Sequence, residues 1–543
     1  MMMMQARPKF AIAAFAFLLL IGCGKSDDPA GSTTDPDPTL ATLPEIQRLF
    51  ADGALTSEEL VRQSLERVSA YDGVGPELNA MITINDQALA TARALDAERL
   101  AQGPRGPLHG IPILLKDNFD TADMPTTGGS AILAGCLPPD DASTVQRLRA
   151  AGAVIIGKTN MSEFALSYGW LGYGSMVGQT RNPHDTLRDP SGSSSGSAVG
   201  VAAGYASLGT GTDTAGSIRA PSAFCGVVGI KPTMGLVSRD GVIPASLSLD
   251  VAGPIARSVA GAAALLQVMA GPDSADSATD AIEGRTFDFT DALQDDALQG
   301  ARIGVVRTFN GANADADAVF ASALEVIAAR GAELIEITLP PPLDNLWPLM
   351  GPVIDGDFGP QIADYLATLP EGAPRTNADL LARAESPAVA NSATPLNPAR
   401  IAGFRDAEAS GGYACEDRST SLETLMPAVR KTLLALFDDR RLDALVFPTV
   451  PCPASVCHDR QDPSYVCDMD DSYRPCYLAN VSGNPEITVP AGITATDGMP
   501  VGISFHGRPF SEARLIGFAH DFEQSTGARR VPVHTPSLAR GGF

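Results

Sequence analysis

Residues Ser143–Asn160 read STVQRLRAAGAVIIGKTN. The run is a helix, a glycine stop and a buried strand, in that order. Its second half, Gly152–Thr159, also satisfies the phosphate-loop pattern G-x4-G-K-[ST]. A phosphate loop needs a strand first, then backbone amides wrapped around an anion, then a helix. Here the four inner residues are Ala153, Val154, Ile155 and Ile156, which are the strand itself. β-Branched side chains do not readily take the unusual backbone angles of such a loop. The stretch therefore reads as one α–β step and excludes nucleotide binding at this position.

The same pattern recurs outward. Gly300–Pro340 runs strand (ARIGVVR), helix (DAVFASALEVIAARG), strand (AELIEITLP). GIPILLKDNF, from Gly110 to Phe119, is a short apolar strand ending at Lys116. LDALVFPT, EITVPAG and VGISFHG are further strands. Helices are expected in two runs between Leu43 and Tyr71, over Asn85–Gln102 and over Ser511–Thr526; Thr56 with Glu59 forms a capping box. Alternating strands and helices over this length imply an α/β fold around a mixed sheet. No internal repeat or linker interrupts residues 43–540.

The chain has 543 residues, 44% of them hydrophobic, ample for a large core. Its net charge of −24, from 63 acidic against 39 basic residues, argues against binding nucleic acid or an anionic bilayer through overall charge. At the N-terminus, Arg7 and Lys9 precede FAIAAFAFLLLI (Phe10–Ile21), an uncharged run of 12. A membrane span needs about 20 residues, so this run fits a signal h-region. Leu20-Ile21-Gly22-Cys23 resembles the bacterial lipobox, which implies a signal peptide over 1–22 and a lipidated Cys23. Residues 23–42 are polar and rich in Pro, Gly, Ser and Asp, as a flexible tether would be. The expectation is an exported bacterial lipoprotein whose membrane contact is the lipid alone. Gly24 points to the outer membrane, periplasmic side, if the cell is Gram-negative. An ordinary signal peptide is the alternative.

Of eight cysteines, Cys225 sits in AFCGVVGI and reads as a buried small hydrophobe. For an exported protein, Cys136, Cys415, Cys452, Cys457, Cys467 and Cys476 suggest disulfides of unreadable pairing. Zinc fits less well, since no C-x2-C spacing occurs and only His458 lies near. No metal or cofactor is expected.

The serine run DPSGSSSGSAVG (Asp189–Gly200) contains G-x-S-x-G centred on Ser194. A nucleophile elbow needs a preceding strand and a downstream triad histidine. The preceding NPHDTLRDPS is polar and proline-containing, and none of the six histidines stands in a distinctive setting. The elbow reading fails.

Ser191–Ser222, SGSSSGSAVGVAAGYASLGTGTDTAGSIRAPS, resembles the signature of the amidase signature hydrolases, with Ser191 replacing an opening glycine. HGIPILLKDNFD, GAVIIGKTNMSEFA, GQTRNP, GLVSRDGVIPASLSLDVAGPIARSV and GNPEITVPAG resemble other blocks of the family, in order. The resemblance implies one large α/β domain over residues 43–540, signature core near 105–260, with a twisted mixed sheet of about eleven strands covered by helices. It implies a Ser-cisSer-Lys triad of Ser217 (nucleophile), Ser193 (proton relay) and Lys116 (base). The amides of Thr214, Ala215, Gly216 and Ser217 would form the oxyanion hole. Asp213 and Arg219 would brace that loop, and Ser194 would bond Lys116. These residue types suit the chemistry. A serine hydroxyl needs an adjacent base, and a buried lysine can supply one once desolvation lowers its pKa. The implied reaction converts a carboxylic amide to acid plus ammonia or amine. DFGPQIADYLATLP (Asp357–Pro370) is most like bacterial peptide amidases, which suggests peptide, aryl or alkyl amides. Two rival readings share the scaffold: the glutaminase-type component of an amidotransferase, and a non-catalytic surface-binding lipoprotein.

Overall fold

Eleven strands share one mixed sheet in the computed structural model, which describes residues 37–166, 169–341 and 343–538. In chain order the strands are β1 (Met81–Ile84), β2 (Pro112–Lys116), β3 (Val154–Thr159), β4 (Tyr173–Gly174), β5 (Gly178–Gln179), β6 (Leu208–Asp213), β7 (Val228–Lys231), β8 (Val251–Ala256), β9 (Arg302–Val306), β10 (Glu333–Ile337), β11 (Ala444–Pro448), β12 (Glu486–Ile493) and β13 (Pro500–His506). Across the sheet they lie β1-β3-β2-β6-β8-β7-β12-β13-β11-β9-β10, while β4 and β5 form a separate small hairpin. Parallel pairs occur where a helix crosses over: Ser143–Ala150 between β2 and β3, Ala314–Ala329 between β9 and β10. The centre, from β6 through β8, β7, β12 and β13 to β11, is antiparallel.

Every residue of β2, β3, β6, β8, β11 and β13 is buried, because helices cover both faces. That is why β2, β3 and β11 carry apolar runs, while β6 (LGTGTD) is buried on glycine and threonine instead. The phosphate-loop look-alike is β3. Its Lys158 is fully buried and points to Asp117 Oδ1 (3.5 Å), Thr126 Oγ1 (2.8 Å) and the Pro125 carbonyl (3.1 Å). The helix Ser57–Tyr71 starts as expected, with the Glu59 amide donating to Thr56 Oγ1 at 3.1 Å.

Two boundaries differ from expectation. Cys23 and the signal segment lie outside the described residues. The packed body begins at Asp37, so residues 37–42 are not tether: Thr39 is buried, Arg257 donates to the Ala41 carbonyl (2.8 Å), and Arg67 pairs with Asp37 (3.2 Å). Among the six expected disulfide cysteines, Cys452 and Cys467 are bonded, while Cys136, Cys415, Cys457 and Cys476 are free thiols. Cys457 and Cys476 are buried like Cys225, filling core space as small hydrophobes.

Candidate active site

Two neighbouring strands end at the site. β2 ends in Lys116 and β6 ends in Asp213, the two being parallel and paired at Ile113–Leu208 and Leu114–Gly209. The serine run enters from a loop and feeds the helix Ser195–Ala203. After β6, residues 214–218 turn into the short helix Arg219–Phe224. Three segments distant in sequence, β2, the serine run and β6 with the turn that follows it, therefore converge at the carboxyl ends of β2 and β6.

Lys116 is completely buried. Its Nζ donates to Ser193 Oγ (2.7 Å), Thr212 Oγ1 (2.7 Å) and the Thr212 carbonyl (3.3 Å). Burial pulls the ammonium down to about 7, against the opposing pull of Asp213 and Asp250. A neutral amine keeps two N–H donors and one lone pair. With Thr212 accepting both donors, the lone pair faces Ser193. The Gly192–Ser193 peptide is cis, as the resemblance implied.

Ser217 is 8% exposed, while Ser193 and Lys116 are at 0%, so Ser217 is the member of the three nearest solvent. The Ser194 amide donates to the Ser217 carbonyl at 3.2 Å, which holds the two segments side by side. Among the described residues no hydrogen bond joins the Ser193 and Ser217 hydroxyls; the structure forms the first link of the expected relay and brings the second into adjacency.

Two expected roles are corrected. Ser194 does not bond Lys116: its hydroxyl donates to the Thr212 carbonyl (3.2 Å) and accepts the Thr212 amide (3.3 Å), because it caps the end of β6. The Gly216 amide is not free for an oxyanion, since it donates to Asp213 Oδ1 at 2.9 Å. The amides of Thr214, Ala215 and Ser217 make no hydrogen bond among the described residues and remain as donors. Gly216 still has to be glycine. Its φ is +106°, and a Cβ there would lie 2.8 Å from Cys476 Cβ.

Asp213 and Arg219 form a buried ion pair beside this loop. Asp213 accepts the Gly216 and Ile218 amides (2.9 and 3.1 Å), Arg219 Nε and Nη2 (3.0 and 2.9 Å) and Asn480 Nδ2 (2.8 Å). Burial alone would raise this carboxyl, but the Arg219 guanidinium holds it well below the usual carboxylate range. Arg219 also reaches Glu486 Oε1 (3.0 Å), Asn480 Oδ1 (2.7 Å) and the Cys476 carbonyl (2.8 Å).

Sequence reasoning missed three participants. Thr212 is the first; with Thr210, whose Oγ1 accepts the Lys116 amide (3.2 Å), it puts two hydroxyls on one face of β6. The Thr-x-Thr spacing was the available signal, since residues two apart share a strand face. Asp250 is the second, accepting Thr214 Oγ1 (2.5 Å) and the Ala245 and Ser246 amides (2.8 and 2.9 Å). Tyr473 is the third: its hydroxyl lies 2.8 Å from Ser191 Oγ. Ser191 has φ +64°, a conformation that favours glycine, which explains why glycine is the family's residue there.

Comparison with known proteins agrees over nearly the whole chain. The family model described as Amidase matches residues 59–516. The glutamyl-tRNA(Gln) amidotransferase subunit designated A in Anaeromyxobacter sp. (strain K) is 39% identical over 495 residues, covering 88% of this chain and 95% of that protein. Its counterpart in Synechococcus sp. (strain JA-2-3B'a(2-13)) is 35% identical, covering 92% of this chain and 96% of its own. Among solved structures, native peptide amidase from Stenotrophomonas maltophilia is 39% identical with a TM-score of 0.81, covering 91% of this chain and 99% of that one.

Proposed function

The chain belongs to the amidase family, and from that premise we propose that it hydrolyses a carboxylic amide through Ser217, Ser193 and Lys116. The observation that carries the assignment is a fully buried lysine, pulled down to about 7, whose Nζ meets Ser193 Oγ at 2.7 Å. Neutral Lys116 takes the Ser193 proton as Ser193 takes that of Ser217. Ser217 Oγ adds to the amide carbon, and the oxyanion accepts from the free amides of Thr214, Ala215 and Ser217. Ser193 then passes a proton to the departing nitrogen. Ammonia or an amine leaves, and water hydrolyses the acyl-Ser217 ester. Asp213 and Arg219 position the donor loop and touch no reacting atom.

Peptide amides are the substrate class we favour, supported by the likeness to the Stenotrophomonas maltophilia peptide amidase. The test is ammonia release from a panel of peptide, aryl and alkyl amides, with Ser217→Ala as control; unchanged turnover in that variant would overturn the assignment. The curated relatives favour a second reading, a glutaminase component working with partner subunits. Glutamine in the same panel separates the two: turnover of glutamine alone supports the second, turnover of peptide amides the first. Placement as a lipid-anchored exported protein is our reading of the signal peptide over residues 1–22 and of Cys23. Metabolic labelling with a radioactive fatty acid tests it, with Cys23→Ala expected to lose the label.

A further inference from the structure

A cavity of about 550 Å³ opens at the far ends of β6 and β8 from the serines. β8 begins at Val251, paired with Asp213, and ends at Ala256, just before Arg257. At ~3.3 Å per residue the two ends lie roughly 20 Å apart. The walls come from the helix Leu43–Ala51, the start of the helix Val259–Met269, the end of the helix Glu512–Thr526 and the segment after it.

Three arginines line it: Arg48, Arg257 and Arg529. Arg257 is 2% exposed and donates to the carbonyls of Thr39, Ala41, Val201 and Ala206, with no carboxylate partner among the described residues. Arg48 is exposed and Arg529 half-buried, and neither guanidinium makes a hydrogen bond or a salt bridge to a described residue. The two carboxylates on the wall, Glu45 and Glu523, lie within electrostatic reach of the arginines, Glu45 of both Arg48 and Arg529 and Glu523 of Arg529, but spend their hydrogen bonds elsewhere. Glu45 accepts the Thr42 amide and hydroxyl, both at 2.7 Å. Glu523 accepts the Val259 amide (2.9 Å), and burial pushes it up to about 7, so at neutral pH it offsets only part of a charge. Two helices also present their amino ends here, capped at Thr42 and Ser258, which adds positive potential.

The ordinary account of Arg529 is that it offsets the carboxyl end of the helix Glu512–Thr526. That account needs neither a cavity of this size nor a second arginine converging from another helix with its guanidinium free of hydrogen bonds to described residues. Three guanidinium groups around one hollow, none in a salt bridge among the described residues, are also out of character for a chain of net charge −24. We propose that this cavity binds a phosphate group, gripped by Arg48 and Arg529 with Arg257 beneath. Guanidinium forks suit tetrahedral oxyanions because two N–H donors match two oxygens. The volume leaves room for the molecule that carries the phosphate, which can be a soluble phosphate ester or a phospholipid headgroup.

The full-length protein is titrated with inorganic phosphate by calorimetry and sedimented with vesicles of phosphatidylglycerol or phosphatidylcholine. Saturable phosphate binding is expected, weakened at least tenfold in Arg48→Gln/Arg529→Gln, while amide hydrolysis by that variant stays at the wild-type level as proof of folding. Phosphate binding without vesicle binding assigns a soluble ester. Variant-sensitive binding to phosphatidylglycerol vesicles assigns a headgroup. Absence of both in the wild-type protein overturns the proposal, whatever the variant's folding, as does binding that the double variant retains in full.

Discussion

Lys116 and Thr212 meet twice, the Nζ donating to Oγ1 at 2.7 Å and to the carbonyl at 3.3 Å. Thr212 Oγ1 also accepts Asn118 Nδ2 at 3.0 Å. This pair decides which way the lysine lone pair faces. Thr212→Val keeps the shape and deletes the acceptor. A buried donor left unsatisfied costs about 1–3 kcal/mol, so kcat/KM should fall roughly tenfold to a hundredfold. The ammonium form loses its partner as well, so the lysine pKa drops further and the acid limb of the pH–rate profile should move to lower pH. A rate and profile equal to wild type would show that Thr212 does not orient the lysine.

Asp213→Asn should damage the donor loop through Arg219. The substitution removes one of the two carboxylates that meet the buried Arg219, leaving Glu486 alone, and removes an acceptor of the Gly216 and Ile218 amides. Breaking one side of a buried pair typically costs about 3–5 kcal/mol. Chemical denaturation should register that loss, and kcat should fall more than KM rises.

Ser191→Gly should be close to neutral. Relieving a non-glycine residue at φ +64° gains about 1–2 kcal/mol, while losing the bond to Tyr473 costs about 1 kcal/mol. A midpoint of thermal unfolding within a few degrees of wild type is expected. Tyr473→Phe loses the bond without the relief and should be the less stable of the two.

Reducing the disulfide Cys452–Cys467 should destabilise the folded protein. The bridge closes a loop with a sequence separation of 15, and a loop of that length is worth about 3 kcal/mol in the chain-entropy account. Cys452→Ser should reproduce the effect without reductant. The loop it closes holds Asp462, which pairs with Arg188 at 2.8 Å next to the serine run, so activity should fall along with stability.

Much of this was legible in the residues. Strands such as β2 and β11 announced themselves as apolar runs, the glycine- and threonine-rich β6 did not, and Val154–Ile156 read as strand because β-branched residues do not readily form a phosphate loop. Lys116, Ser193 and Ser217 were singled out by their spacing within a family pattern, and the structure brings the first two into contact. The direction of an N–H was not legible: Gly216 is required by its φ and by Cys476 behind it, yet its amide turns to Asp213. Composition could not tell Ser194, which caps β6, from Ser193, which meets the lysine, because the two differ only in backbone direction. The partner of each cysteine depends on the path of distant loops, and four of the six stayed unpaired.

The central claim is that a neutral, buried Lys116 activates Ser217 through Ser193. Its most direct test is the rate at which a fluorophosphonate labels Ser217, followed across pH. The account predicts that labelling rises with pH about a midpoint near 7 as Lys116 loses its proton. It predicts that labelling is lost in Ser217→Ala and falls by at least about a hundredfold in Lys116→Met and Ser193→Ala. Labelling of another residue, or an undiminished rate in Lys116→Met, would contradict it.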